Sequence, residues 1–324
     1  MATVPMEWET RLGHRFRVRD LYILSTVIKA GGMAKAARQL AMSQPSVSAA
    51  IANLESVLRV RLLDRDTRGI EPTIYAEAIL KRSVAIFDEL KQTVGDVQFL
   101  ADPSKGELKI GCPDTSAATV VPQMIERFSE KYPLAALYVD NVPTFSDALP
   151  VLRSRQYDLV FARLYQPLTS VADDLNVERL FDDPVVVVAG KHSPWARRRK
   201  VDLTDLVDEP WIMAGTHTWI YARVAEAFRE RGLPMPKTRL VTLSWPLIDH
   251  FVFNGRHIMA YPRSVAVRHS LKVLPVNLPV RPWPLSVLTL KNRTLSPVAE
   301  RFMACVRDVS KPIADRQQGR KTAN

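Results

Sequence analysis

The chain has 324 residues, 47% of them hydrophobic and 24% charged, with a formal net charge of +11. That length allows two or more domains, and that composition excludes a disordered or fibrous chain. The positive balance favours polyanions, anionic ligands or an anionic surface as partners and says nothing of fold. The charge is unevenly spread. Residues 11–70 hold 11 Lys and Arg against 4 Asp and Glu, whereas residues 71–104 hold 3 against 6. Residues 105–310 hold 27 against 21, and residues 311–324 hold 4 against 1. The densest basic block is therefore near the N-terminus.

Cys112 and Cys305 are the only cysteines, too few for a disulfide framework, which leads us to expect a reducing cytoplasm. Met1 to Arg19 lacks the apolar core of a secretory signal. The longest apolar runs, such as Val185 to Gly190, fall short of a membrane span. We therefore expect a cytoplasmic protein with no membrane role.

Taken in chain order, residues 17–58 read as three short helices. Val18, Leu21, Leu24 and Ile28 recur at helical spacing, and Gly31-Gly32 ends the first helix. Met33 to Leu40 gives a second, rich in Ala. Ser43-Gln44-Pro45 opens a third, with Ser as N-cap and Pro in the first turn. Val47, Ile51, Leu54 and Leu58 make its inner stripe. Residues 60–73 read as strand, turn and strand, with Asp66-Thr67-Arg68-Gly69 supplying the turn chemistry. A long helix is predicted from Thr73 to Ala101. Its Phe87, Leu90, Val94 and Val97 form a coiled-coil-like seam. Asp102-Pro103-Ser104-Lys105-Gly106 then reads as a linker.

Beyond Glu107, strands and helices alternate. Strands are predicted at Leu108–Gly111, Leu137–Val142 and Leu159–Ala162, with helices at Ala117–Lys131 and Ser146–Arg155 between them. This βαβαβ run implies a parallel sheet with covering helices. A second unit starts near Val185–Gly190. It continues through Trp211–Met213, helix Tyr221–Gly232, strand Leu240–Leu243, helix Pro246–Phe253 and strand His257–Tyr261. A late strand, Leu285–Leu290, and a terminal helix, Pro297–Val309, complete the count. The tail after Pro312 is polar and basic, and we expect it to be disordered. The domains read as 1–74, a mainly α winged helix-turn-helix; 75–104, a linker and dimerisation helix; 105–310, two α/β subdomains; and 311–324, a basic tail.

The most informative stretch runs from Ala36 to Ser48. A helix-turn-helix needs small residues where its helices cross, and Ala36 and Ala37 stand there. It needs an apolar residue closing the second helix (Leu40), a tight turn, and a third helix that is apolar inside and polar outside. The outer face of the third helix offers Gln44, Ser46, Ser48 and Asn53. Gln and Asn can pair bidentately with adenine. Arg65 and Arg68 flank the β-turn, where a wing would meet phosphates or the minor groove.

These residues resemble the LysR-type transcriptional regulators. The family signature, approximately A-A-x-x-L-x-x-S-Q-P-x-V-S-x-x-I-x-x-L-E followed by L-x-x-R and a wing, is met here. The matching residues are Ala36, Ala37, Leu40, Ser43, Gln44, Pro45, Val47, Ser48, Ile51, Leu54, Glu55, Leu62 and Arg65. Two positions depart from the pattern. Many members carry a basic residue after the matching Ser48, where this chain has Ala49. The usual L-T-x-x-G after the wing becomes Ile70-Glu71-Pro72-Thr73-Ile74-Tyr75-Ala76, with the Thr kept as a helix cap and the Gly replaced by Ala76. The resemblance implies double-stranded promoter DNA with an inverted repeat as one partner. It also implies a homodimer or homotetramer, with RNA polymerase left open as a further partner. The DNA-contact candidates are Ser43, Gln44, Pro45, Ser46, Ser48, Ala49, Asn53, Arg65 and Arg68.

In open α/β sheets, ligands sit beyond the carboxyl ends of the strands. Cys112, Thr115 and Ser116 follow the first such strand, opening a helix whose free amides suit an anion. Asp114 beside them would oppose an anion unless it points away or binds ligand hydroxyls. Later strand ends offer Thr144, Arg163, Thr216, His217 and Thr218. Each of these is also readable as a plain cap, a loop residue or a surface ion pair. By resemblance, this half has a type 2 periplasmic-binding-protein-like fold with a small-molecule effector in the cleft between subdomains. No resident cofactor or metal is implied. The hydroxyls with Arg163 and His217 lean toward a small carboxylate, while Asp114 keeps a sugar in play.

The competing reading is a periplasmic-type solute-binding protein, or a small enzyme, fused to a helical cap. The chain offers no export signal for the first. For the second, its six His show no H-E-x-x-H spacing, and there is no C-x-x-C or G-x-S-x-G. Arg197-Arg198-Arg199-Lys200 reads as a solvated loop before it reads as a nucleic-acid patch.

Overall fold

The computed structural model describes residues 15–66, 69–102, 104–164, 173–191, 193–253 and 255–322. Contacts divide the chain into two units, Met1–Lys91 and Gln92–Asn324.

In the N-terminal unit, helix α1 (Val18–Ala30) buries Leu21, Leu24 and Val27 on one face. It ends at Gly31, whose φ of 68° is left-handed; the Gly31 and Gly32 amides bond back to Ile28 and Val27. α2 (Met33–Gln39) packs its buried Ala36 and Ala37 against its neighbours, small side chains that let the helices approach. The turn to α3 (Gln44–Leu58) places Ala41 at φ 51°, a left-handed position taken by a residue with a Cβ. Ser43 caps α3, its Oγ accepting from the Ser46 amide at 3.3 Å. Strands β1 (Leu63–Asp66) and β2 (Gly69–Pro72) form an antiparallel hairpin. Glu55 ties α3 to it: Oε1 accepts from the Leu62 amide at 2.7 Å and the Leu63 amide at 3.4 Å. Thr73 joins the hairpin to α4 (Ile74–Ala101), donating to the Arg61 carbonyl and accepting from the Ala76 amide. Ala76 is fully buried, so a methyl is accommodated at the variant position.

Among the described residues, the C-terminal unit holds two five-stranded sheets. The first contains β3 (Lys105–Cys112), β4 (Leu134–Asn141), β5 (Leu159–Arg163), β6 (Leu175–Asp182) and the late β12 (Pro284–Leu290), in the order β4-β3-β5-β12-β6. The second contains β7 (Val185–Ala189), β8 (Trp211–Met213), β9 (Thr238–Val241), β10 (Ile258–Pro262) and β11 (Lys272–Val273), in the order β11-β7-β10-β8-β9. Helices α5 (Asp114–Ala117), α6 (Val121–Lys131), α7 (Phe145–Arg153) and α11 (Pro297–Thr322) serve the first sheet. Helices α8 (Trp219–Glu230), α9 (Trp245–Ile248) and α10 (Arg263–Arg268) serve the second, and α9 runs on as a π-helical turn, Asp249–Phe253.

Three expectations are corrected. The βαβαβ run is parallel as expected, β3 pairing with β4 and β5, but the completed sheets are mixed, because β12 returns from the second sheet and runs antiparallel to both β5 and β6. β7 is likewise antiparallel to β10 and β11. The helix predicted from Ala117 is two helices, α5 and α6. The tail is ordered as helix through Thr322. A proline inside a helix costs on the order of 3 kcal/mol, but the turns beyond Pro312 have partners that offset it. Ile313 and Ala314 pack on the first sheet's core. The Gln317 amide brackets the backbone of Asp182, accepting from its N–H at 3.0 Å and donating to its carbonyl. In the turn before the proline, Arg307 adds a paired contact to Glu178 at 2.7 Å.

β12 makes the first sheet possible. All seven residues are buried; Leu285 and Val287 face one core cluster, Leu288 and Leu290 the other. Such two-sided burial explains its continuous apolar run. Gly106 allows α11 to close on β3, since a Cβ there would collide with Val298.

Truncation after Ser310 is expected to destabilise the C-terminal unit by on the order of 2 kcal/mol, through lost apolar burial and the lost bonds between Gln317 and the Asp182 backbone. Urea unfolding of the shortened chain against the full chain measures it.

Candidate functional site

The third helix of the N-terminal unit splits cleanly by face. Val47, Ala50, Ile51 and Leu54 are buried, while Ser43, Gln44, Pro45, Ser46 and Ala49 are exposed or half-buried, as is Ser48. Ser43 and Ser46 also share a hydroxyl–hydroxyl bond of 2.8 Å. The Gln44 and Ser48 side chains make no hydrogen bond among the described residues, which leaves their polar groups for an outside partner. Asn53 is corrected: it is not a free outer-face amide. Its Nδ2 donates to Asp20 Oδ2 at 2.7 Å and to the Arg15 carbonyl at 3.0 Å. Asp20 is 6% exposed, and a buried carboxylate must be hydrogen-bonded, so Asn53 is spent on holding α3 to α1. Arg65 sits on β1 opposite Ile70, and Arg68 lies outside the described residues. α2 also exposes Lys35 and Arg38, cations that the helix pattern alone did not single out.

In the C-terminal unit, the ends of β3, β4, β5 and β8 converge on a cleft with two connected lobes. The smaller, of about 110 Å³, is apolar, walled by Ile220, Leu243, Trp245, Met259 and Tyr261 with Asp114, Thr115 and Asn141 at its edge. The larger, of about 260 Å³, is more polar and includes Thr144, Arg163, Thr216, His217 and Trp283. Pro113, Pro143, Thr218 and Trp219 line both. The space exceeds what a few ordered waters need.

The candidate residues fare differently there. Thr144 and Thr218 line the cleft, but their hydroxyls are engaged in helix caps. Thr144 and Asp147 form a reciprocal capping box on α7, with Thr144 Oγ1 donating to Asp147 Oδ2 at 2.6 Å. Thr218 Oγ1 caps α8 and donates to the Gly215 carbonyl at 2.7 Å. Thr115 Oγ1 is buried with no partner among the described residues and lies on the cleft wall. Two candidates are corrected. Cys112 is 2% exposed in the core beneath the sheet, and burial, with Asp114 nearby, pushes its thiol up to about 12. Ser116 is fully buried and lines neither lobe.

Arg163 is the most constrained of the set. Its side chain is 1% exposed and pairs with Asp183 through Nη2 at 2.8 Å. Asp183 also accepts from the Ser264 amide at 3.0 Å and the Ser264 hydroxyl at 2.5 Å. The guanidinium lies over the Trp219 ring, 4.8 Å from its centroid. Asp183, Trp219 and Trp283 are missed by sequence reading; only the pairing of a cation with a distant carboxylate and two distant indoles reveals them.

Residues 18–77 match the bacterial regulatory helix-turn-helix protein, lysR family, and residues 101–311 match the LysR substrate binding domain. The chain belongs to the LysR family. It is a sequence-specific DNA-binding transcriptional regulator whose C-terminal domain is of the effector-binding kind. Among curated relatives, the HTH-type transcriptional regulator TdcA of Escherichia coli K12 is 27% identical over 76% of this chain and 77% of its own. The HTH-type transcriptional activator CmpR of Synechocystis is 27% identical over 90% and 93%. Among solved structures, a full-length OxyR variant from Pseudomonas aeruginosa superposes with a TM-score of 0.62 at 20% identity, covering 92% of this chain and 95% of that one. CbnR, a LysR family transcriptional regulator, does so with 0.53 at 21%, covering 90% and 100%. These likenesses establish the fold of the LysR-family chain.

Replacing Asn53 with Ala is expected to lower the stability of the N-terminal unit by about 1–3 kcal/mol, because it strands the buried Asp20 carboxylate. Chemical denaturation followed by circular dichroism measures the loss.

Proposed function

We propose that α3 enters the major groove of promoter DNA and reads it through Gln44, Ser46 and Ser48, with Ser43 and Pro45 setting the helix start against the phosphates. Carrying this reading is a helix whose inner face is consumed by core while the outward Gln44 and Ser48 side chains have no hydrogen-bond partner among the described residues. The hairpin with Arg65 and Arg68 would act as the wing. Ala49 supplies no charge, so base discrimination rests on Gln44 and phosphate attraction on the surrounding basic block.

A homo-oligomer follows from α4. Phe87 packs inward, its ring edge-on to Tyr22 at 5.7 Å, but Leu90, Val94 and Val97 are 49%, 58% and 62% exposed. An apolar seam of that kind calls for a second copy. Two copies would present two α3 helices to an inverted repeat.

The effector would occupy the two-lobed cleft, and regulation would follow from its binding one arrangement of the subdomains better than another. Support comes from the convergence of strand ends there and from Thr115, whose buried hydroxyl has no partner among the described residues.

Two outcomes check these assignments. Gln44→Ala should weaken binding to the operator beside the protein's own gene by about 1–3 kcal/mol while leaving random-DNA binding unchanged; mobility-shift titrations at fixed salt decide it, and equal affinities for both DNAs before and after substitution defeat the recognition-helix assignment. Thr115→Val should leave the unfolding midpoint nearly unchanged, yet reduce the affinity of any stabilising effector about fivefold, on the order of 1 kcal/mol for one hydrogen bond. A thermal-shift screen with small organic acids and sugars reads both.

A further inference from the structure

We infer that the cleft selects an organic monocarboxylate with an apolar body, its carboxylate received by Arg163 in the larger lobe. This rests on the cleft being the effector site and adds the ligand's chemical class.

Arg163 is buried, yet only Nη2 has a partner; Nε and Nη1 have none among the described residues. Buried arginine donors without acceptors are costly, and these belong to a side chain on the cleft wall. The guanidinium is also held still. Asp183 fixes one nitrogen, and Asp183 is itself fixed by Ser264. Trp219 supports the guanidinium's face, and Trp283 stacks on Trp219 with 6.4 Å between centroids at 28°. Arg223 lies over the Trp283 ring in turn, 4.5 Å from its centroid. A cation positioned this way loses little freedom on binding.

Charge then chooses the ligand. Among the described residues, no acidic side chain lines the larger lobe, whereas Arg163 and His217 do. The Asp183 carboxylate is already shared among Arg163 and two Ser264 donors, so the remaining guanidinium N–H groups have no acceptor among the described residues and suit one from a bound ligand. A carboxylate supplies charge-assisted bonds of about twice the strength of neutral ones. The adjoining lobe is walled by Ile220, Leu243, Trp245 and Met259, which suits an aromatic or alkyl body. Asp114 at the edge of that lobe disfavours a second negative charge there and favours a hydroxyl or amine donor.

The experiment uses the full chain with matched probes: benzoate, benzamide and terephthalate, and hexanoate with hexanamide. Calorimetry and tryptophan fluorescence are read on the wild type, Thr115→Val and the doubly substituted R163Q/D183N, which removes both buried charges together and so avoids stranding either one. The expected result is that each monocarboxylate binds at least tenfold more tightly than its amide, and benzoate more tightly than terephthalate. In R163Q/D183N the preference for carboxylate over amide should vanish. Amides binding as well as carboxylates, with Thr115→Val weakening both, would overturn the ligand class and leave the cleft as effector site. No binding by any probe overturns the ligand class as well. Binding that is indifferent to both sets of substitutions overturns the cleft reading itself.

Discussion

Arg163 and Asp183 are both charged and both withdrawn from water, and neither could stay so alone. Each ion would lose several kcal/mol of hydration without a partner, so wherever the chain places one, it must bring the other. Arg163 ends β5 in the first sheet, Asp183 follows β6 at the crossing toward the second, and Ser264 opens α10 beside the second. The pair therefore pins the crossover, and the rest of the C-terminal unit is arranged around that crossing. Strand ends gather on one side of it to make the cleft, and β12 and α11 return on the other to close the first sheet.

The same economy of polar groups governs the N-terminal unit. Glu55 and Asn53 look like surface residues of a polar helix, yet both are bonded inward, one to the hairpin amides and one to Asp20. What remains outward at the start of α3 is a short polar edge. A small domain with one apolar core can orient such an edge stiffly only if its few buried polar groups are satisfied. The inward bonds of Asn53 and Glu55 are thus part of what holds Gln44 and Ser48 on an outward edge.

Helix caps complicate the reading of a ligand site. Thr144 and Thr218 line the cleft and cap α7 and α8 at once. Strand-to-helix turns put caps and ligand contacts in the same few residues, so a hydroxyl there serves local structure first. Thr115 differs because its hydroxyl has no local partner among the described residues, and Arg163 because only one of its nitrogens does. Among the cleft-lining candidates, unfilled hydrogen-bond capacity sets these two apart from the capping threonines.

The N-terminal architecture was legible from residue spacing because it is local. Small residues at a helix crossing, Ser at an N-cap, Gly31 at a helix end and a 3.6-residue apolar stripe act within a few turns of chain, and the family signature is written in the same short range. The alternation of strands and helices in the second half was legible for the same reason. The direction of β12, the continuation of α11 past Pro312, the inward burial of Cys112 and Ser116, and the bonding of Asn53 were not. Each depends on a partner far along the chain: β5 and β6 for β12, Asp182 for Gln317, the first sheet's core for Cys112, Asp20 for Asn53. Periodicity reports which face of an element is apolar, but it carries no information about which distant group satisfies a buried charge or amide. That choice belongs to the packed chain, where desolvation makes an unpaired group too costly to leave.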